Sequence, residues 1–369
     1  MRFHITAHDT QPRRDRIIEV LREHLLLQGH QLSASPMGVN FILNATDAIA
    51  PRPGRRNSQA VFIVSIVAIE ESCDNVRSYC YRTLVRTLSN LLITVQINPE
   101  TKREEVYFTT PEAGYYQVPI DAGNDRTTAE QLYEHVVPIV ASHYVLANTM
   151  TTDLPARLMN DSPIVKQIRQ YSRELDELGA MPLPFPLKEV LSVEDLRHLY
   201  HIYGMTGLSY GNISAREEVP ELPGSSFWMT GRGVDKRDLQ AVGKDILLVR
   251  GVDHGAGSVL VSVPPDYNPC ARVSIDAVEH ELIYRTFPGI GAILHVHAWM
   301  QEAVATHQNY PCGTRELAEE VCALLQQTET PERAVIGLKN HGLTITGPNL
   351  EEIFDRVRGK LLVEVPMFA

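Results

Sequence analysis

The stretch "AVFIVSIVAI" at residues 60–69 is the sequence feature that most restricts the possible folds of the N-terminal half. It is far too short to span a bilayer, and its β-branched content predicts a buried strand. Around it, residues 1–150 alternate strand-like runs with amphipathic stretches. The strand-like runs are 2–6, 39–44, 60–70, 91–98, 104–109 and 114–120, and the amphipathic stretches are 12–28, 76–90 and 127–148. This pattern predicts an α/β (α+β) domain over residues 1–150.

The length and the proline distribution predict two domains. A chain of 369 residues with 44% apolar and 21% charged residues is long enough for two cores. Periodicity breaks at 151–163, a helix is expected near 164–178, and three prolines at 179–186 exclude helix or central strand. We therefore predict a linker over 151–187 and a second domain over 188–369.

Charge and cysteine usage restrict the class of protein. A net charge of −11 argues against a nucleic-acid partner, and no apolar segment predicts a signal peptide or a membrane span. The five cysteines are odd in number and contain no Cys-x-x-Cys pair, which suits a reducing cytoplasm. The basic loop at 50–57 could grip an anion, although a solvated hairpin tip is the commoner reading. We expect a cytoplasmic protein whose partner is a small-molecule substrate, with no nucleic acid and no membrane.

Three histidines of the second half form a candidate metal site. "GAILHVHAWM" predicts a strand from about 291 to 298, whose alternation projects His295 and His297 to the same face. A catalytic zinc site needs a third protein ligand. Asn340-His341-Gly342, a turn between two strand-like runs, offers His341. Taken alone, a turn histidine is more often bonded to backbone.

Acidic and glycine-rich segments upstream offer further candidates. "VSIDAVEHELIYRTF" predicts a helix with Ser274 at its N-cap and Asp276 in its first turn, where both could simply be capping residues. "TGLSYGNISAR" at 206–216 is a turn able to direct backbone N–H groups at an anion. "FWMTGRGVDKRDL" at 227–239 predicts a strand, a turn carrying Arg232, and a helix beginning at Asp235; a plain surface turn is the alternative.

In this order, "GNIS", "TGRG", "VSID…H…Y…FPGIGAILHVHA", "GTREL" and "NHG…G" resemble the class II aldolase/adducin family over roughly residues 188–357. The family includes fuculose-1-phosphate aldolase and ribulose-5-phosphate 4-epimerase. Asp276 lies nineteen residues before His295, as the family pattern requires. Residues 1–150 resemble no family that we recognise.

The resemblance implies an α/β/α fold with a mostly antiparallel central sheet, and homo-oligomers, often tetramers. It implies His295, His297 and His341 as ligands of Zn²⁺ or another divalent metal such as Mn²⁺. Asp276 takes the place of the catalytic acid/base, and Asn212, Gly233 and Ser274 match positions that contact a substrate phosphate. The sequence departs from the family at Ile275, at Arg232 and in the short segment between His297 and Gly313.

Together these features predict a divalent-metal-dependent lyase or epimerase. Its substrate would be a small hydroxyketone, sugar phosphate or hydroxy acid, and a zinc ion held by neutral imidazoles can stabilise an enediolate. Arg232 would suit a carboxylate as well as a phosphate. Two alternatives remain open: a decarboxylase or dehydratase on the same scaffold, and a non-catalytic adducin-like binding or assembly module.

Overall fold

The computed structural model describes all residues except 8, 59, 70–74, 122, 181–186, 204–209, 223 and 369. Outside the described residues therefore lie Cys73, residues 181–186 of the proline-rich segment and residues 206–209 of the glycine-containing turn. Two compact units are present. The first comprises Met1–Ser142, Lys188–Ile202 and Met367–Ala369, and the second comprises His143–Leu187 and Tyr203–Pro366.

The first unit is built on a mixed sheet covered by amphipathic helices. Its elements in chain order are β1 (Arg2–Ala7), α1 (Pro12–Leu27), β2 (Gln31–Leu32), β3 (Phe41–Ala45), β4 (Phe62–Ile69), α2 (Val76–Arg86), β5 (Leu91–Ile97), β6 (Glu104–Thr109), β7 (Tyr115–Val118) and α3 (Asp125–Val140). The described strands follow the order β2-β1-β3-β4-β5-β6-β7. β1 to β5 pair in parallel, and β6 and β7 pair antiparallel.

The apolar run at residues 60–69 contains β4, which lies at the centre of this sheet. Every residue of β4 except Ile69 is buried. A parallel strand between two neighbours is covered on both faces, so its sequence is continuously apolar instead of alternating. The mixed α/β class predicted for the chain is confirmed at this coarse level.

The second unit contains a larger sheet and four of the described α-helices. Its elements are β8 (Ala147–Thr151), α4 (Pro163–Glu177), β9 (Asn212–Arg216), β10 (Phe227–Thr230), β11 (Ile246–Asp253), β12 (Ser258–Ser262), α6 (Ala277–Thr286), β13 (Ala292–Val296), β14 (Val304–Ala305), α7 (Arg315–Gln327), β15 (Val335–Leu338), β16 (Gly342–Gly347) and α8 (Leu350–Val357). α5 (Val193–Tyr203) falls almost wholly in the first unit.

The described strands of the second unit follow the order β14-β15-β16-β13-β9-β10-β11-β12-β8. All pairs are antiparallel except β14 with β15 and β12 with β8. One face packs on α4 and α8 around Trp228 and Phe354, and the other packs on α6 and α7 around Ile283 and Val321.

Residues 151–187, predicted to be a linker, contribute to the packing of the second unit where they are described. Thr151 is the last residue of β8, which extends the sheet beside β12, and α4 packs on β9, β10 and α8. Leu158, Val165 and Ile168 are buried in its core. The broken periodicity at 151–163 is a loop between a sheet edge and a core helix.

The prediction of a helix beginning at Asp235 is wrong. Residues 231–245 form turns, in which Asp235 accepts a hydrogen bond from the backbone N–H of Arg237 at 3.0 Å. The Asp245 carboxylate likewise accepts from the N–H groups of Gln240 and Ala241. Short polar side chains that capture nearby N–H groups compete with helical bonding.

No helix of the described residues is long and apolar enough to cross a membrane.

Candidate metal centre

Three buried histidines meet where β13 and β16 lie side by side. His295 is within β13, His297 follows its last residue, and His341 immediately precedes β16. The strands pair antiparallel with Val296 opposite Leu343, which carries His341 towards His297. Asn340 adopts φ +58°, a left-handed conformation that asparagine tolerates, and this turns the chain into β16. One ligand atom from each histidine lies within 4.8 Å of the other two.

The imidazoles fit a divalent ion. His341 Nε2 lies 3.2 Å from His297 Nε2. Two nitrogens bound at about 2.05 Å to one tetrahedral zinc ion would be about 3.3 Å apart. His295 donates through Nδ1 to the Leu343 carbonyl at 3.0 Å, which leaves its buried Nε2 without a hydrogen-bond partner among the described residues. A backbone carbonyl that holds one ring nitrogen typically orients the other for metal binding.

Burial also keeps the rings in the form that binds metals. Desolvation lowers the pKa of His295 and holds the pKa of His341 well below its usual value. Neutral imidazole is the ligand form, so the lone pairs are available at neutral pH.

Asp276 lies beside the histidines at the start of α6. The sequence placed the helix N-cap at Ser274, but α6 begins at Ala277 and Asp276 occupies the N-cap position without a capping hydrogen bond. Its Oδ2 instead accepts from Asn212 Nδ2 at 2.6 Å, and its Oδ1 is buried without a hydrogen-bond partner among the described residues. A carboxylate oxygen of Asp276 lies within 4.8 Å of ligand atoms of His295 and Cys312.

Lys236 introduces a buried positive charge that the sequence analysis missed. It is 4% exposed, and desolvation lowers its pKa to about 8 against the opposing attraction of Asp276. Its charge also contributes to the lowered pKa of His295. Its signal in the sequence was its position three residues after Gly233 in the "TGRG" turn, but the helix predicted there gave no reason to expect burial.

A second layer of polar side chains lies under the histidines. Glu279 Oε1 accepts from Thr344 Oγ1 at 2.6 Å, and Thr344 faces His295 across the strands. Desolvation raises the pKa of Glu279 to about 8, so this carboxyl group is protonated at neutral pH. Ser214 Oγ lies 2.7 Å from His280 Nδ1 and 2.8 Å from the Tyr284 hydroxyl. None of these residues was assigned a role in the site from the sequence, although Ser214, His280 and Tyr284 belong to the quoted motifs "GNIS" and "VSID…H…Y".

The predicted substrate residues fall into two groups. Asn212 is in direct contact with Asp276 and faces His295 across the β9–β13 pair. The turn carrying Arg232 and Gly233 runs beside the segment of Ser274: Arg232 N–H donates to the Arg272 carbonyl at 2.8 Å, and Ser274 N–H donates to Thr230 at 3.1 Å. Gly233 adopts φ +67°, which favours glycine. These backbone hydrogen bonds bring the turn of Arg232 and Gly233 together with the segment of Ser274.

Two further side chains contact the histidines directly. Tyr210 stacks on His297 with ring centroids 4.1 Å apart and planes 8° from parallel. Cys312 Sγ lies 3.3 Å from His341 Nε2. Each lies one residue before a motif quoted from the sequence, Tyr210 before "GNIS" and Cys312 before "GTREL". Neither spacing indicated proximity to a histidine.

Comparison with known proteins supports the resemblance. The family Class II Aldolase and Adducin N-terminal domain matches residues 193–307. A solved structure of YgbL from Klebsiella pneumoniae, described as a candidate aldolase/epimerase/decarboxylase, is 17% identical with a TM-score of 0.33; the match covers 52% of this chain and 82% of YgbL. No curated protein sequence matches the chain.

The matched segment runs from α5 past β14 and includes Asn212, Asp276, His295 and His297. The resemblance inferred from the sequence is therefore confirmed over residues 193–307, which match the model of this family.

Proposed function

We propose that this chain is a divalent-metal-dependent lyase or epimerase for a small hydroxyketone, sugar phosphate or hydroxy acid. The single observation that carries the proposal is the buried cluster of three imidazoles, with His341 Nε2 3.2 Å from His297 Nε2. His295, His297 and His341 would hold the ion, with zinc or manganese as the candidates. A bound divalent ion would draw electron density from a substrate carbonyl or hydroxyl oxygen.

Asp276 is proposed as the acid/base. Asn212 donates to one of its carboxylate oxygens, which leaves the other oriented by that bond and available to accept or return a proton. Lys236 lies close enough for its positive charge to attract the Asp276 carboxylate.

Arg232, Gly233 and Ser274 are proposed to bind an anionic group of the substrate, either phosphate or carboxylate. The guanidinium of Arg232 would pair with either anion, and the turn at Gly233 could supply backbone N–H donors. A decarboxylase or dehydratase would use the same residues. We further propose a homo-oligomer with a small-molecule substrate, without nucleic-acid or membrane partners.

The first experiment measures metal in protein purified without added ions. We expect about one zinc or manganese per chain, and its loss in His295→Ala and His341→Ala. His307→Ala, a change at an exposed histidine of the same unit, should leave the metal content unchanged. A wild-type chain that neither retains nor binds divalent metal would rule out the proposed enzyme.

The second experiment tests Asp276 on the metal-loaded protein. A panel of sugar phosphates and hydroxy acids is screened for aldehyde, epimer, water or carbon dioxide release. Asp276→Asn preserves the acceptor for Asn212 but cannot take up a proton, so we expect kcat to fall by about 10²–10⁴ with metal content unchanged. Asp266→Asn, at an exposed carboxylate, is the control.

The second candidate is a non-catalytic adducin-like binding or assembly module. It is favoured by Ile275, because the family has a hydroxyl-bearing residue at this position. The Ile275 side chain packs close to Gly313. Unchanged substrate turnover in Asp276→Asn, together with an assembly that depends on residues 1–150, would favour this module over the enzyme.

A further inference from the structure

Cys312 lies within reach of the three histidines. Its Sγ is 3.3 Å from Nε2 of His341, and the side chain is 7% exposed. Ligand atoms of Asp276, His295 and Cys312 lie within 4.8 Å of one another. Two of these neighbours carry buried polar atoms without hydrogen-bond partners among the described residues, namely His295 Nε2 and Asp276 Oδ1. The sulfur therefore lies within a few ångströms of two unsatisfied ligand atoms.

The backbone around Cys312 is held on both sides. Gly313 adopts φ +76°, and a Cβ there would lie 2.5 Å from Ile275 Cγ1 and 2.9 Å from the Ile275 carbonyl oxygen. The Gly313 carbonyl accepts from Val145 N–H at 2.8 Å, and Thr314 Oγ1 donates to the Pro311 carbonyl at 2.7 Å before α7 begins. These contacts hold the thiol in place, as a preorganised ligand requires.

The distance suits two ligands of one ion. A sulfur at about 2.3 Å and a nitrogen at about 2.05 Å from a tetrahedral zinc ion would be about 3.6 Å apart. The 3.3 Å between Cys312 Sγ and His341 Nε2 is close to this value, and the 3.2 Å between the Nε2 atoms of His297 and His341 is close to the value of about 3.3 Å for two nitrogen ligands. Cys322 is equally buried, but it packs among apolar side chains of α7.

We propose that the Cys312 thiolate is a fourth protein ligand of the divalent ion, which gives a resting centre of three histidines and one cysteine. This inference rests on the proposed function, because it needs the histidines to bind metal. On binding, the S–H bond breaks, a sulfur–metal bond forms and the proton passes to water, with no change of oxidation state. Substrate must then displace the thiolate or enter as a fifth ligand. A thiolate also makes the centre select zinc or cobalt over magnesium or manganese.

The test is the absorption spectrum of the full-length protein loaded with Co²⁺. A cobalt–thiolate bond gives an intense near-ultraviolet charge-transfer band, whereas histidine ligands alone give only weaker visible bands. We expect the intense band in the wild type and in Cys322→Ser, and its loss in Cys312→Ser and Cys312→Ala. Zinc affinity should fall at least about tenfold in both Cys312 variants, with the visible cobalt bands retained.

Each outcome separates this inference from the proposed function. Visible cobalt bands without the charge-transfer band in the wild type would overturn ligation by Cys312 and leave the histidine site standing. An equally strong band in Cys312→Ala would also overturn it. Failure of the wild type to bind Co²⁺ at all would overturn the proposed function together with this inference. The wild-type spectrum decides the question even if a Cys312 variant does not fold.

Discussion

Glu279 is a buried residue whose surroundings oppose the charged form of its side chain. Its carboxyl group lies on α6 under the histidines and accepts a hydrogen bond from Thr344. Desolvation raises its pKa to about 8, and the negative charge of Asp276 contributes in the same direction. The folded chain therefore keeps a proton that the unfolded chain releases above its ordinary pKa of about 4.3.

This difference predicts a pH-dependent stability. Between that ordinary value and about 8 the folded state binds more protons than the unfolded state, so the free energy of unfolding falls as pH rises. Glu279→Gln has no proton to lose and still offers an oxygen to Thr344. We expect the Tm of Glu279→Gln minus that of the wild type to increase by several degrees from pH 5 to pH 8.

Thermal melts followed by circular dichroism across this pH range check the prediction. Glu319→Gln, at an exposed position of α7, should differ from the wild type by the same small amount at every pH. A difference for Glu279→Gln that stays constant with pH would show that the carboxyl group is not held neutral.

At the residue scale, the sequence predicted groups whose relation is local. His295 and His297 share a face because strand side chains alternate, and His341 sits in a recognisable Asn-His-Gly turn. Asp276 was found through its spacing from His295. Lys236 and Cys312 could not be found in this way, because their closeness to the histidines depends on how loops 231–245 and 306–314 pack.

At the scale of elements, the close approach of β13 and β16 positions the metal-binding atoms. Gly342 begins β16, and a Cβ there would lie 2.1 Å from the Val296 carbonyl oxygen and 3.1 Å from the His297 Cα. The φ of Gly342 is not in the left-handed region, so its backbone conformation does not require glycine. Glycine is needed there because a side chain would have no room. Any larger side chain must push the two strands apart.

Gly342→Ala should therefore destabilise the protein and weaken the metal site. Steric overlap in a packed core costs about 1–3 kcal/mol, which corresponds to a Tm lower by about 2–10 °C. Because the displaced strands carry His297 and His341, we expect zinc affinity to fall as well. Calorimetric titration with zinc and thermal melts measure both effects.

The control for this variant is Gly255→Ala, in the turn between β11 and β12. A Cβ there would lie 3.3 Å from only the Asp253 Oδ1 atom. Wild-type Tm and zinc affinity in Gly342→Ala would contradict the role given to the close approach of the strands.

Element positions were largely predictable where the hydrophobic period was clear. Strand 60–70 and helix 164–178 correspond to β4 and α4 within two residues at either end. The helix prediction after Gly231 failed because carboxylate side chains accept hydrogen bonds from the backbone N–H groups there. The N-cap predicted at Ser274 lies two residues later, at Asp276. Sheet order could not be predicted, because pairing between distant strands leaves no local period.

At the scale of the whole molecule, each of the two units has its own sheet, and the proposed metal ligands all lie in the second. A ligand that binds only the folded state stabilises the part of the chain that holds it. We expect calorimetry of the metal-free chain to show two unfolding transitions, of which zinc raises only one.

The assignment of that transition uses His295→Ala, in which zinc should leave both transitions unchanged. His307→Ala should respond as the wild type does. A single transition, or an equal shift of both by zinc, would show that the two units do not unfold separately.

The hydrogen bond from His295 Nδ1 to the Leu343 carbonyl has a spectroscopic consequence. A ring proton that is buried and shared with a strand carbonyl exchanges slowly with water, so it should give a resolved resonance far downfield in the proton magnetic resonance spectrum. Its chemical shift depends on the electron density of the ring, which changes when the other nitrogen acquires a ligand. This one proton would therefore report occupancy of the centre in solution without any change to the sequence.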